Sequence, residues 1–435
     1  MFEKFSTIRH LNWRISLAGL IASFWIFNPG WLSADSVYQL DQAKSWQFSD
    51  WHPVGMSLWW AISGIIFGPI FLLLQQLGLY WLGWGFAANI FKRRFPNYYW
   101  AVSLFGFFPS YLVSFGHIWK DTQYASAIFA VTSFIISKVE NNESCRPKYL
   151  LPMFALMFYA ASVKPNGIPT IFCLAAAGIW LATGRPPIRP KSTLTLYLAA
   201  TVVIGLGANY VALEVVKPEK QFSMQGIMIH DLQGVSSLTH KDFRPQYARE
   251  IISASEFANS YIPDNANWVL YSRPLGTLKT SEPNNFGSIT ATWWQMVREY
   301  PLQYIQHRLN VLTTQLRLNR LDAAFVANGW SDKNPYGFDN IRSPLASPLI
   351  ATIAVMPWLY YPWLHLLAFF VPLIVLPIKR RISASYSVLS FCWLGFVLPH
   401  LVLLPASDFR YLLYAYLLTP LMLLMGLSSF RSNAR

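Results

Sequence analysis

Long apolar runs broken by short polar ones dominate the 435-residue chain. Ten runs have the length and hydropathy of membrane-spanning helices: 13–29, 69–91, 98–116, 122–137, 149–163, 167–183, 194–215, 358–378, 385–404 and 410–428. An eleventh, "HPVGMSLWWAISGIIFG" (52–68), is short before its Gly68-Pro69 break. It is read as a helix in the outer interface, with Trp59 and Trp60 at headgroup level. "SADSVYQLDQAKSW" predicts a second interfacial helix with Ser33 as its N-cap. Two stretches of 217–343, "FRPQYAREIISASEFANSYIP" and "SITATWWQMVREYPLQYIQHRLNVLTTQLRL", have helical spacing, and Pro301 should split the second. The expected fold is thus an all-α polytopic membrane protein with about 10 transmembrane helices. Its parts are a membrane module at 1–216 with a first outer loop at 30–68, an outer-face domain at 217–343, and C-terminal membrane helices at 344–435.

Composition agrees with this class. Hydrophobic residues make up 54% and charged residues 12%, half the charged share of a soluble domain. The net charge of +14 says more once it is mapped onto the spans. With the N-terminus inside, 17 basic residues flank the cytoplasmic ends, among them Lys4, Arg9, Lys92, Arg93, Arg94, Lys138, Arg146, Lys148, Arg185, Arg189, Lys191, Lys379, Arg380, Arg381 and Arg435. The short outer loops hold four: Lys44, Lys120, Lys164 and Arg410. That asymmetry sets the orientation and accounts for the positive charge without nucleic acid. Cys145, Cys173 and Cys392 lack metal spacing, and no disulfide framework follows.

The spans are nearly free of ionisable residues, Glu214 at the outer end of the seventh being the main exception, and such residues gather in the outer loops: Asp35, Asp41, Asp50, Asp121 and Asp408, with the cations of "HIWKDTQ", "SVKPNG" and "SDFRY". Cations beside carboxylates at a low-dielectric mouth suit an anionic ligand and a proton-accepting group. Asp35 is the candidate base, Asp121 its acidic partner, and Lys120, Lys164 and Arg410 the candidate phosphate-binding groups. His52, Tyr38 and Gln39 are candidates for acceptor contact, and Asp231 with His307-Arg308 are exposed candidates in the outer domain. No Gly-rich phosphate loop or large cytoplasmic domain offers a nucleotide site, so an activated donor would be anchored by its own lipid.

A first span followed by "DSVYQLDQA", then "HP" opening an interfacial helix that ends in "FG", resembles the polytopic GT-C glycosyltransferases. The likeness is to bacterial protein mannosyltransferase and aminoarabinose-transferase types. In such enzymes the first outer loop carries an aspartate and the next a second acidic residue, positions matched by Asp35 and by Asp121 of "WKDTQ". The family's later basic residue near the lipid phosphate is similar to Lys164 of "VKPNG", and its Arg-Tyr pair to Arg410-Tyr411. The resemblance implies inverting transfer of a sugar from a polyprenyl-phosphate carrier to an envelope glycan, lipid or protein at the periplasmic face of a bacterial inner membrane. Asp35-Ser36 stands where the family often has Asp-Glu, which leaves a divalent cation (Mg or Mn) an open question. Two other classes stay in view. A transporter or lipid flippase would need ionisable groups within the membrane. A polysaccharide polymerase or ligase would lean on outer-domain arginines such as Arg298, Arg308, Arg317 and Arg320.

Overall fold

The computed structural model describes residues 10–183, 203–266, 278–326, 329–338, 344–367, 369–370, 383–404 and 406–431. Among these residues the chain is all-helical, with four isolated β-bridges and no strand. The helices are α1 (Leu11–Phe27), α2 (Ala34–Ser45), α3 (Gly55–Phe67), α4 (Phe71–Ile90), α5 (Lys120–Glu140), α6 (Leu150–Val163) and α7 (Ile168–Ala182). After them come α8 (Gln225–Thr239), α9 (Pro283–Glu299), α10 (Pro301–Gln315), α11 (Ser347–Val355), α12 (Ala384–Leu403) and α13 (Leu413–Arg431).

Among the described residues two helical stretches are long and apolar enough to cross a membrane, Pro165–Ala182 and Phe409–Gly426; there are three if the bent pair α3–α4 is one span. They point to membrane association. The expected count of about ten is not met, and the reasons are local. Helix α6 has 14 residues and rises only ~21 Å, and α1 has 17 and rises ~25 Å, against a hydrocarbon core of ~30 Å. The run 98–116 is broken into a 3-10 stretch at Tyr99–Phe107, one α turn at Pro109–Leu112 and another 3-10 turn, so it does not cross as one helix. Helix α5 is long, but Thr, Gln and Ser thin its hydropathy, and nearly all of it is buried. The spans expected at 194–215 and 358–378 fall partly outside the described residues, as do nine of the 17 cytoplasmic basic residues.

Helices α3 and α4 meet at 104°, hinged where Gly68 takes φ +77°. A run of apolar residues still faces outward: Leu17, Ile21 and Trp25 on α1, Ile65 and Ile66 on α3, and Leu151 on α6, which is 78% exposed. The core lies between α4 and α5, where Leu73, Leu77, Tyr80 and Trp84 pack with Ile128, Phe129 and Ile136.

Successive helices alternate between two ends. At one end the Lys92–Arg94 turn meets the close of α5: Arg94 Nη2 is 3.0 Å from Glu140 Oε2, and Asn141 donates to the Asn89 carbonyl at 2.9 Å. At the other end the loops before α2, α3, α5, α7 and α13 converge. Over that end sits a smaller apolar core built by α8, α9 and α10 with Ile229, Leu232, Ile289 and Met296, against which Trp51 of the first loop packs. Glu299 closes α9 and Pro301 opens α10, as the proline requires. The continuous helix expected in 243–263 is a 3-10 turn at Gln246–Glu250 and a short helix at Ala254–Asn259.

Candidate active site

Asp35 and Asp121 are 86 residues apart in sequence, and a backbone stitch brings them together. Trp31 N donates to the Gly116 carbonyl at 2.8 Å and Ile118 N to the Trp31 carbonyl at 3.0 Å. Ser36 Oγ donates to the Ile118 carbonyl at 2.8 Å. Ser33 occupies the N-cap position of α2, as expected, but makes no side-chain cap; its hydroxyl accepts from Trp119 Nε1 at 2.7 Å. Gln76 of α4 donates to the Phe115 and His117 carbonyls at 2.8 and 2.9 Å, holding the strap that carries Lys120 and Asp121. Lys164 is positioned by a close approach. Tyr124 Oη donates to the Gly167 carbonyl at 3.0 Å, and a Cβ at Gly167 would lie 2.2 Å from that ring, so only glycine fits.

The result is a connected set of charges. Arg410 Nη2 donates to Asp35 Oδ2 at 2.9 Å and Nε to Asp408 Oδ2 at 3.0 Å, while Asp121 Oδ2 lies 4.0 Å from Nε. The guanidinium rests 4.5 Å from the Trp119 ring, whose plane also stacks on His117. Lys164 Nζ donates to Asp121 Oδ1 at 2.5 Å and to the Tyr411 carbonyl at 3.2 Å. Both members of that pair are buried, Lys164 5% exposed and Asp121 2%.

Lys120 is differently placed. Its Nζ lies 3.0 Å from His52 Nδ1, and among the described residues it forms no ion pair. The ammonium donates, so His52 carries its own proton on Nε2, 3.6 Å from Asp35 Oδ1. Burial, then Lys120, pushes His52 below its ordinary value and keeps the ring neutral, although Asp35 pulls the other way. Burial works to raise Asp35, but Arg410, His52 and Lys120 outweigh it and hold the carboxyl well below the usual range. Asp408 goes the opposite way: burial raises it, Arg410 opposes, and Asp35 and Asp121 add to the rise.

Two cavities meet at Asp35. The first, about 310 Å³, is bounded by Asp35, His52, Lys120, Asp121, Lys164 and Tyr411, and roofed by the start of α8 at Ser223–Ile227. The second, about 720 Å³, lies beyond the Asp35–Arg410 pair. Next to the first, an apolar groove of about 580 Å³ runs between α3 and α6, lined by Leu58, Ile62, Leu156 and Phe158. Groove and first cavity share a rim, because Pro53 and Val163 line one while Val54 and Ser162 line the other.

Asp35, His52, Lys120, Asp121, Lys164 and Arg410 are therefore brought to one place, the first five around the smaller cavity and Arg410 lining the larger one beside Asp35. Tyr38 and Gln39 line neither cavity. Tyr38 Oη is 2.7 Å from Ser49 Oγ, and Gln39 is buried, donating to the Asp35 carbonyl at 3.2 Å. Asp41 bonds Tyr336, and Asp50 accepts from the Gln221 and Phe222 amides. Asp231 and His307, expected to be exposed, are fully buried: Asp231 accepts from Arg308 at 2.8 Å and Trp293 at 2.8 Å and bonds His307 at 2.9 Å, tying α8, α9 and α10 together. Asp408, Trp119 and His400 escaped the sequence reading as site residues; the "SDFRY" spacing, which sets Asp408 two residues before Arg410, was the one signal for Asp408. Among the described residues no group of three or more His, Cys, Asp or Glu could hold a metal ion. No family model, curated protein or solved structure matches the chain.

Proposed function

We propose that the protein is a GT-C-type membrane glycosyltransferase that moves a sugar from a polyprenyl-phosphate carrier to an envelope glycan, lipid or protein at the periplasmic face. The observation that carries this reading is the position of Asp35 on a wall between two cavities, one of which lies beside a lipid-sized apolar groove. In this reading the polyprenyl chain lies in the groove between α3 and α6. Its phosphate enters the first cavity, where Lys120 makes no ion pair among the described residues and contacts His52 instead. A half-buried ammonium whose nearest partner is a neutral imidazole has donors to spare, and a phosphate would take them. Lys164 is already committed to Asp121, so its contribution to phosphate binding comes through the shape of the cavity and the Tyr411 loop.

Asp35 is ionised at neutral pH and faces both spaces. An acceptor hydroxyl arriving from the second cavity gives its proton to Asp35 as its oxygen bonds to the anomeric carbon; the carbon–oxygen bond to the carrier breaks and its electron pair leaves with the phosphate. Lys120 stabilises that leaving charge. Asp35 lies 3.6 Å from His52 Nε2 and Lys120 3.0 Å from Nδ1, so base and leaving-group cation are separate groups, and direct displacement between them inverts the anomeric centre.

The test is incubation of the purified full chain with radiolabelled polyprenyl-phosphate sugars and envelope lipids or glycans. Release of polyprenyl phosphate with label in a new covalent product is expected, and Asp35→Asn should lower it by at least ~100-fold while leaving folded protein in the membrane. Movement of a lipid or solute across proteoliposomes without covalent product would overturn the transferase in favour of a transporter.

A further inference from the structure

The second cavity differs from the first in its charge balance, and the difference bears on what enters it. Three arginines reach it, and each already faces carboxylate. Arg410 is held by Asp35 and Asp408. Arg320 Nη1 is 2.6 Å from Asp264 Oδ2. Arg317 lies 3.8 Å from Asp264 and 3.9 Å from Asp322. Asp332 also lines the cavity and takes part in no ion pair among the described residues. Five aspartates thus stand against three arginines. An anionic ligand would meet cations that are already neutralised and one carboxylate that is not. Neutral hydroxyls meet acceptors: ionised carboxylates only accept, and each has lone pairs left after its arginine is served. An ammonium would meet a net negative field. Phe325, 45% exposed at the cavity wall, adds an apolar face for the C–H side of a sugar ring.

The geometry points to the second cavity as the acceptor site of the transferase, built for a neutral or amino-bearing polyhydroxylated ligand, a glycan or glycolipid sugar, and built against acidic ones. This rests on the transferase reading for the word acceptor, while the choice of ligand charge rests on the cavity alone. The two spaces on either side of Asp35 then sort substrates by sign, phosphate toward Lys120 and hydroxyls toward Asp332.

Binding separates the two ideas. The full chain in detergent is titrated with three tetrasaccharides, of N-acetylglucosamine, of glucosamine and of galacturonate, and bound ligand is read by saturation-transfer NMR. Donor cleavage is assayed separately. The neutral or the amino tetramer should bind at least ten times more tightly than the uronate. Asp332→Asn should shrink that gap severalfold without moving the thermal midpoint, and Phe325→Ala should weaken all three in proportion. Uronate binding as tight as the others, or no saturable binding by any of the three, overturns the inference. Charge-selective binding with no donor cleavage upholds the ligand class and overturns the transferase. Donor cleavage with a preference for uronate does the reverse.

Discussion

Arg410 is the residue on which most of the site's electrostatics turn. Its guanidinium bonds Asp35 and Asp408 together and stands 4.0 Å from Asp121. Because Asp35 is held below the ordinary carboxylate range, the stability it contributes is present above that range and is lost as pH falls through its folded value. The acid limb of the activity profile should therefore lie below about pH 4, the ordinary aspartate value. Arg410→Gln removes the largest influence lowering Asp35 and should move that limb upward in the residual turnover; an unmoved limb would separate Asp35 from the titration. Lys164 and Asp121 make a different kind of pair, buried and mutually dependent. Lys164→Met should cost about 3 kcal/mol by leaving Asp121 buried without its hydrogen-bonded cation, Arg410 at 4.0 Å offsetting only part, and adding Asp121→Asn should recover part of the loss. Denaturant unfolding of the two variants checks this.

At the scale of elements, the sequence showed where the charged loops were but not how they are joined. The positions of Asp35, Asp121, Lys164 and Arg410 followed from a chain whose ionisable residues avoid its apolar runs. Their meeting depends on Gln76, Ser36 and the Trp31–Gly116 backbone bond, polar contacts with no periodicity to read. The break in 98–116 was equally hidden, because an apolar 3-10 segment and an apolar α-helix have the same composition. Tyr38 and Gln39 misled because their spacing to Asp35 shows which residues lie near one another on a helix without showing which side faces the cavity. The groove between α3 and α6 depends on one close approach: a Cβ at Gly55 would stand 2.6 Å from the Ser162 carbonyl. Gly55→Val should push α3 away from α6. Under the transferase reading this raises KM severalfold for a long-chain polyprenyl donor and much less for a short-chain, water-soluble analogue, which initial rates with the two donors would reveal.

For the whole molecule, the loops of the site and the basic turns at Lys92–Arg94 and Lys138 occupy opposite ends of the helix bundle. If the charge asymmetry sets the orientation, the two ends face different compartments. Ser45 and Asn97 are exposed, one at each end. With Cys145, Cys173 and Cys392 replaced, Ser45→Cys should react with a membrane-impermeant maleimide on intact cells and Asn97→Cys only after permeabilisation. The opposite pattern would turn the protein over and with it the face on which chemistry occurs. The cap formed by α8 to α10 belongs to the site end. Arg308 Nη1 donates to the Leu404 carbonyl at 3.2 Å, so the cap is fastened to the same segment that presents Asp408 and Arg410.

The ion pair between Asp35 and Arg410 spans 375 positions of the chain. A ribosome making this protein delivers the carboxylate 375 residues ahead of its guanidinium partner. Throughout that interval the first loop waits with an unbridled charge and an unfinished wall. A chain halted before Arg410 is in that sense unarmed, and the seating of α13 completes the site.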